Sequence, residues 1–351
     1  TPCTGQSPSS PRPHQERTRP QVPMPRETDQ QESGPTLQVR QGSASEYSSR
    51  STLADAVSLL TPVVLLGGVA LAGGGFDLFG RHLAAIVSWV LVIILLWTRP
   101  GARIGFGGPF RLILGLLGTL TLLTALSLLW SNSDYSTIVE LDRLIAYIGF
   151  LTATFLVCRD ERSRWLFVEG LLLAFAIVLI AALGDRLFPG IDVPAGISPS
   201  RLSFPLGYWN ANGLVFGISI GAFAWASRES RFAVSRWTAA ALIPAAIVGL
   251  YFTYSRGGAV AGAVMLIGLF FLNRHRLWMI AVVLVGATCA APVIRVIHSN
   301  PAIADNLGGA GAPSQGHHVL VALVAAMAAA LLIGFLVRTI ASKVFPGITR
   351  F

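Results

Sequence analysis

Lysine is all but missing from this chain. Lys343 is the only one among 26 basic residues, and charged side chains of either sign make up 12% of the 351 residues. A soluble domain carries about a quarter. Together with a mean hydropathy of +0.64, that shortage excludes a water-soluble globule. The preference for arginine is explained better by a GC-rich coding sequence than by a special use of guanidinium. Cysteine is scarce as well. Cys3, Cys158 and Cys289 have neither CxxC spacing nor an even count, which argues against a disulfide framework and a cysteine-bound metal. Cys158 is expected at a helix end and Cys289 inside a helix. GxSxG, HExxH, Walker and Rossmann patterns are absent, and Gly73-Gly74-Gly75 reads as a helix-ending turn rather than a phosphate loop. The net charge of +9 comes from short arginine clusters between apolar runs, without an aromatic-interleaved basic face, so no nucleic acid partner is expected. No metal or cofactor is expected either.

Long apolar runs are what the chain has in abundance. Ten of them, each able to cross about 30 Å of hydrocarbon, lie near 56–73, 82–98, 112–130, 137–157, 165–183, 211–227, 237–254, 257–272, 277–296 and 318–337. Leu112 to Trp130 and Trp237 to Tyr254 hold no charge at all. The runs are too long for strands and lack the alternation of an outer-membrane barrel. The predicted fold class is therefore all-α, a polytopic transmembrane helix bundle of about ten spans within residues 55–338 and surrounded by membrane lipids. The short run at 257–272 is expected to tilt or to pair closely with its predecessor. Residues 1–54 are expected to form a disordered cytoplasmic tail, because Pro, Ser, Gln, Glu and Arg leave too little apolar surface to offset ordering entropy. They contain no signal-peptide pattern. Residues 339–351 read as a cytoplasmic-side end.

Basic residues orient such a bundle, since they collect in cytoplasmic loops. With the tail inside, every loop on that side carries arginine, from Arg99 and Arg103 to Arg274 and Arg276. The outer side keeps only Arg81, Arg186, Arg201, Arg256 and Arg295, with Arg143 inside a span. Most tryptophans fall near span ends, where interfacial anchoring accounts for them. Trp209 differs because it adjoins the Arg201 loop.

Arg201 and Arg256 stand out on that outer face. Arg201 closes a connection from Gly184 to Asn210 that holds Pro189, Pro194, Pro199 and Pro205 and is expected to be irregular. Long connections of this kind are functional or disordered. Tyr208, Asn210 and Asn212 add a hydroxyl and amides at the start of the next helix, and Asn210 suits a helix cap as well as a substrate contact. Arg256 precedes Gly257-Gly258 in a tight turn. Snorkelling to headgroups is one use for it. The scarcity of outer arginines and the tightness of the turn favour an anion site, phosphate above all, because the guanidinium fork donates two parallel hydrogen bonds. Glu140, Asp142 and Arg143 lie about one to two turns inside the fourth span. Intramembrane charges mark function, although Glu140 and Arg143 at i, i+3 can simply neutralise each other. Asp134 adds a carboxylate of uncertain use in the turn before that span. His298, and less so His317 and His318, are candidate bases for a hydroxyl or solvated loop histidines.

The stretch Arg201…Gly207-Tyr208-Trp209-Asn210-Ala211-Asn212-Gly213 resembles the R…G-x-x-N-x-N-G/A signature of the O-antigen ligase and Wzy polymerase superfamily. Thr253-Tyr254-Ser255-Arg256-Gly257-Gly258 resembles its T-x-S-R-G motif, and the turn Leu128-Leu129-Trp130-Ser131 is similar too. The resemblance spans about residues 56–300. It implies a GT-C-like glycosyltransferase of a bacterial-type inner membrane. Such an enzyme moves a glycan from a polyprenyl (undecaprenyl) diphosphate donor to an acceptor on the outer face, without nucleotide sugar or metal. It further implies that Arg201 and Arg256 hold the donor diphosphate, a role preorganised cations suit wherever negative charge grows. In that setting Tyr208, Asn210, Asn212 and Arg143 are expected to contact substrate and His298 to serve as base. Family ligases carry a large outer loop that supplies a histidine, whereas Ile297 to His317 is short, Gly/Ala-rich and without helix periodicity. The chain is therefore expected to stop before that loop and the remaining helices, which leaves an inactive membrane fragment open as a reading. A secondary transporter or exporter also suits ten helices, but no internal repeat is visible and the arginines sit at helix ends. A nonenzymatic scaffold is the third alternative.

Overall fold

A computed structural model of the chain describes residues 52–75, 77–98, 108–189 and 200–344. Of the expected tail, residues 1–51 lie outside the described residues, while 52–54 are helical and open the first span; the part of the long connection holding Pro194 and Pro199 and the last residues 345–351 also lie outside them. The rest is mostly helical, with no β-strand among the described residues. The helices are α1 (Thr52–Leu71), α2 (Leu78–Thr98), α3 (Gly108–Leu126), α4 (Asp134–Val157), α5 (Glu161–Leu187) and α6 (Trp209–Glu229). They continue as α7 (Ala233–Thr253), α8 (Arg256–Leu272), α9 (Arg276–His298), the single turn α10 (Pro301–Ala304) and α11 (Ala312–Val344).

Seven of these, α1, α2, α3, α5, α7, α9 and α11, are long and apolar enough to cross a membrane. The other three expected spans are also helices, but each departs from that standard for a visible reason. Glu140, Asp142 and Arg143 put charge into α4, Asn210 and Asn212 dilute α6, and α8 is short at 17 residues.

Helix ends follow local chemistry. Ser133, Asp160 and Ser255 cap α4, α5 and α8 by accepting from the backbone N–H three residues on. Tyr254 ends α7 in the left-handed region (φ 51°), and Ser255 starts α8 at once. Two expected irregular segments are partly helical. Helix α5 continues to Leu187 through Asp185-Arg186, and α6 already starts at Trp209, so the connection is shorter than Gly184 to Asn210. Likewise α9 reaches His298, α10 forms a turn, and α11 starts at Ala312, well before residue 318.

The core joins α5, α6, α7, α9 and α11, with Phe216, Phe223, Ile243, Phe252 and Ile297 almost wholly buried. In lipid, apolar burial from water does not drive helix association, so close backbone packing carries more of it. Helices α6 and α8 run parallel and meet through glycines four residues apart. A Cβ on Gly217 would lie 2.3 Å from the Gly258 carbonyl oxygen, and one on Gly258 would lie 2.4 Å from the Gly213 carbonyl carbon. Helix α2 meets α4 in the same way, with Gly149 against Ser88 and the Trp89 indole donating to the Ile145 carbonyl at 3.2 Å.

Candidate functional site

The α6–α8 contact brings the two motif regions to one end of the bundle. Arg256 is the first residue of α8, and the capping Ser255 Oγ donates to Asn210 Oδ1 at 2.9 Å across the interface. Asn210 Nδ2 in turn donates to the Tyr208 hydroxyl at 2.6 Å. The residue before α6 is Tyr208, whose side chain makes no cap bond. Asn210 therefore does not cap its helix, contrary to one of the two expectations, and instead ties α6 to α8.

Arg201 is held through its neighbours. Arg186, only 2% exposed, donates from Nη2 to the Ser200 carbonyl and stacks its guanidinium 5.1 Å from the centre of the Phe252 ring. The Leu202 N–H donates to the Phe252 carbonyl at 3.0 Å. Asn212, 0% exposed, donates from Nδ2 to the carbonyls of Leu202 (3.1 Å) and Phe204 (2.8 Å). On the far side, Gly74 (φ 71°) lies so close that a Cβ there would come within 2.5 Å of the Leu206 carbonyl oxygen. The loop is thus fixed on both flanks of Arg201, whose own guanidinium lies 5.0 Å from the centre of the Trp209 ring.

Arg201, Trp209, Asn210, Tyr254, Arg256 and Asp305 line one open cleft of about 790 Å³. Trp209 and Asn210 belong to the first turn of α6, and Arg256 to that of α8. Two helix N-termini, each carrying about half a positive charge, therefore add to two guanidinium groups. No ion pair among the described residues includes Arg201, Arg256 or Asp305. A cleft with this balance attracts an anion with several oxygen acceptors.

The other expected site residues fall elsewhere. Asn212 faces the interior and serves the loop, so it is a framework residue rather than a ligand contact. Tyr208 supports Asn210 and does not itself line the cleft. Arg143 pairs with Glu140 at 2.7 Å, and beside them His82 approaches Asp142 at 3.9 Å; Arg143 does not line the cleft. His298 ends α9 with Nε2 3.0 Å from the Tyr251 hydroxyl, also outside the lining. His317 packs edge-on against Phe188 within α11. Cys158 closes α4 and Cys289 is buried inside α9, both as expected.

Three residues that matter here escape a reading of the sequence. Arg186 is indistinguishable from an ordinary helix-end charge until its burial is seen. Tyr254 hides inside the T-x-S-R-G match, and Asp305 follows the helix-start signal Asn300-Pro301 in a Gly/Ala-rich stretch. A second cavity of about 690 Å³ between α5 and α7 is walled by apolar residues such as Leu172, Phe223, Leu242 and Met327. Glu169, the one acid among the described residues that line it, already accepts from Ser230 and Ser235 at 2.5 Å each. No family model, no curated protein and no solved structure matches this chain.

Proposed function

We propose that the chain is a membrane glycosyltransferase of the O-antigen ligase or polymerase type, with Arg201 and Arg256 clamping the diphosphate of a polyprenyl-linked glycan donor. The observation that carries this reading is the convergence of both arginines on one cleft with Trp209, Asn210 and two helix N-termini. The two motif resemblances fit the same residues. In this proposal α4, α6 and α8 complete ten spans in a GT-C-like bundle of a bacterial-type inner membrane. The N-terminus lies in the cytoplasm and the cleft faces outward, where arginine is otherwise scarce. The donor's diphosphate sits between the guanidinium groups and gains negative charge as the sugar's C1–O bond breaks. Fixed cations stabilise that charge without reorganising. The glycan passes to a hydroxyl of an acceptor sugar or lipid, and the polyprenyl chain stays among membrane lipids.

Arg201→Ala and Arg256→Ala test the proposal in the chain reconstituted into lipid nanodiscs, with geranylgeranyl diphosphate as the binding probe. Hydrogen bonds to charged groups contribute about 1.5–3 kcal/mol, so each change is expected to weaken binding roughly 10- to 100-fold. The corresponding Lys variants keep the charge but lose the fork, and recover only part of it. Affinity unchanged in both Ala variants rejects the clamp. Movement of intact lipid-linked glycan across the bilayer, with no new glycosidic bond, identifies an exporter instead.

A further inference from the structure

We propose that Asp305 is the base that takes the proton of the attacking hydroxyl; the assignment rests on the glycosyl-transfer reading above. Transfer to a hydroxyl makes a C1–O bond to the acceptor and breaks the C1–O bond to the diphosphate. The leaving polyprenyl diphosphate keeps that bonding pair, and the acceptor's O–H proton must go to a nearby base. The residues around the cleft narrow the choice. Arg201 and Arg256 are cations with no pair of electrons to offer, and the Asn210 amide and Trp209 indole are not bases. Tyr254 brings only a weakly basic phenol oxygen. Among the described residues, Asp305 is the one carboxylate lining the cleft. His298, the expected base, is turned to the Tyr251 hydroxyl and lies outside the lining.

The corner that carries Asp305 is built independently of the arginines. Asn300 Nδ2 donates to the Val296 carbonyl at 2.7 Å, and the Ala302 N–H donates to Gln315 Oε1 at 2.9 Å, which ties the α10 turn to α9 and α11. Ile303 and Ala304 are buried, and the Asp305 N–H donates to the Pro301 carbonyl at 2.9 Å. The backbone is therefore anchored while the carboxylate stands exposed in the cleft. Had Asp305 served to neutralise the clamp, it would be paired with Arg201 or Arg256; no ion pair joins them. Arg186 and Tyr251 lie within its electrostatic reach from the neighbouring helices. Among its described residues the cleft thus offers cations to the leaving group and one acceptor-only side chain to the hydroxyl.

The test compares Asp305→Asn and Asp305→Glu with the unaltered chain in nanodiscs. Two quantities are measured: affinity for geranylgeranyl diphosphate, and release of polyprenyl diphosphate from lipid-linked oligosaccharides extracted from bacterial membranes together with their acceptors. The expected result is that Asp305→Asn binds the probe as well as the unaltered chain, or more tightly, and releases product about 100-fold more slowly or worse. Asp305→Glu is expected to retain part of the rate. Normal release by Asp305→Asn overturns the assignment, and so does a parallel loss of binding and release, which marks a role in shaping the cleft. An unaltered chain that fails to bind or fails to release removes the transfer reading itself, and the assignment falls with it.

Discussion

Two tryptophan-stacked arginines at opposite ends of the bundle, Arg231 and Arg201, are used in opposite ways. At the end where α5 begins, Arg231 pairs with Glu161 and stacks 4.7 Å from the centre of the Trp165 ring, and Arg162 pairs with Asp55. At the other end Arg201 also stacks on a tryptophan, Trp209, yet among the described residues neither it nor Arg256 has a carboxylate partner. The same side chain over the same kind of ring is closed off at one end and left available at the other. The difference lies in what surrounds the guanidinium. One set sits among acids that satisfy it, and the other sits over helix N-termini that add to its field. A stacked arginine is therefore not evidence of a site; an unpaired one facing a cleft is.

That contrast can be broken most severely through the α6–α8 contact. Gly217→Val places a branched side chain where a single Cβ would already stand 2.3 Å from the Gly258 carbonyl oxygen. Overpacking of this kind costs about 1–3 kcal/mol or more. Thermal unfolding in nanodiscs is expected at a clearly lower temperature, with loss of diphosphate affinity as Asn210 and Ser255 part. An unchanged melting temperature would show that the helices do not rely on this approach. A smaller effect is expected from Asn210→Ala, which removes the bonds to Ser255 and Tyr208. One to two hydrogen bonds at about 1 kcal/mol each predict roughly a 5- to 30-fold weaker probe affinity, read by the same titration. The smallest belongs to the other end. Glu161→Gln breaks an exposed ion pair worth less than about 1 kcal/mol and should leave diphosphate affinity where it was. A large drop there would erase the distinction between the two ends.

Much of the helical framework was legible in the sequence because membrane helices announce themselves by apolar runs. The run at 237–254 corresponds to Ala233–Thr253, and that at 257–272 to Arg256–Leu272. Hydropathy failed where polarity and helix coexist. Asp185-Arg186 reads as an exit from the bilayer, whereas the Ser200 carbonyl and the Phe252 ring accommodate Arg186 inside a continuing helix. The start of α11 is silent in the sequence because Ala312 to Gln315 has no apolar period. Arg201 and Arg256 could be singled out from charge placement and motif, and they do line one cleft. Asn212 could not be separated from Asn210 without knowing which way each side chain points. Asp305 was out of reach, since its proximity to Arg256 depends on how α9, α10 and α11 fold back. The glycines at 213, 217 and 221 and at 258 and 262 recur at every fourth position, a small-residue pattern that marks close helix packing in the sequence itself.

Backbone-to-backbone contact between α6 and α8 has a mechanical consequence. Where two helices meet through leucines, rotamer changes let the gap widen or narrow by small steps. Gly213, Gly217, Gly258 and Gly262 leave nothing between the chains that can rotate. The aperture between the Trp209–Asn210 turn and Arg256 is consequently gauged several residues deeper, by a joint with no adjustable parts. The mouth can change its width only if whole helices slide or tilt, so it behaves as a fixed calliper and not as a pair of fingers.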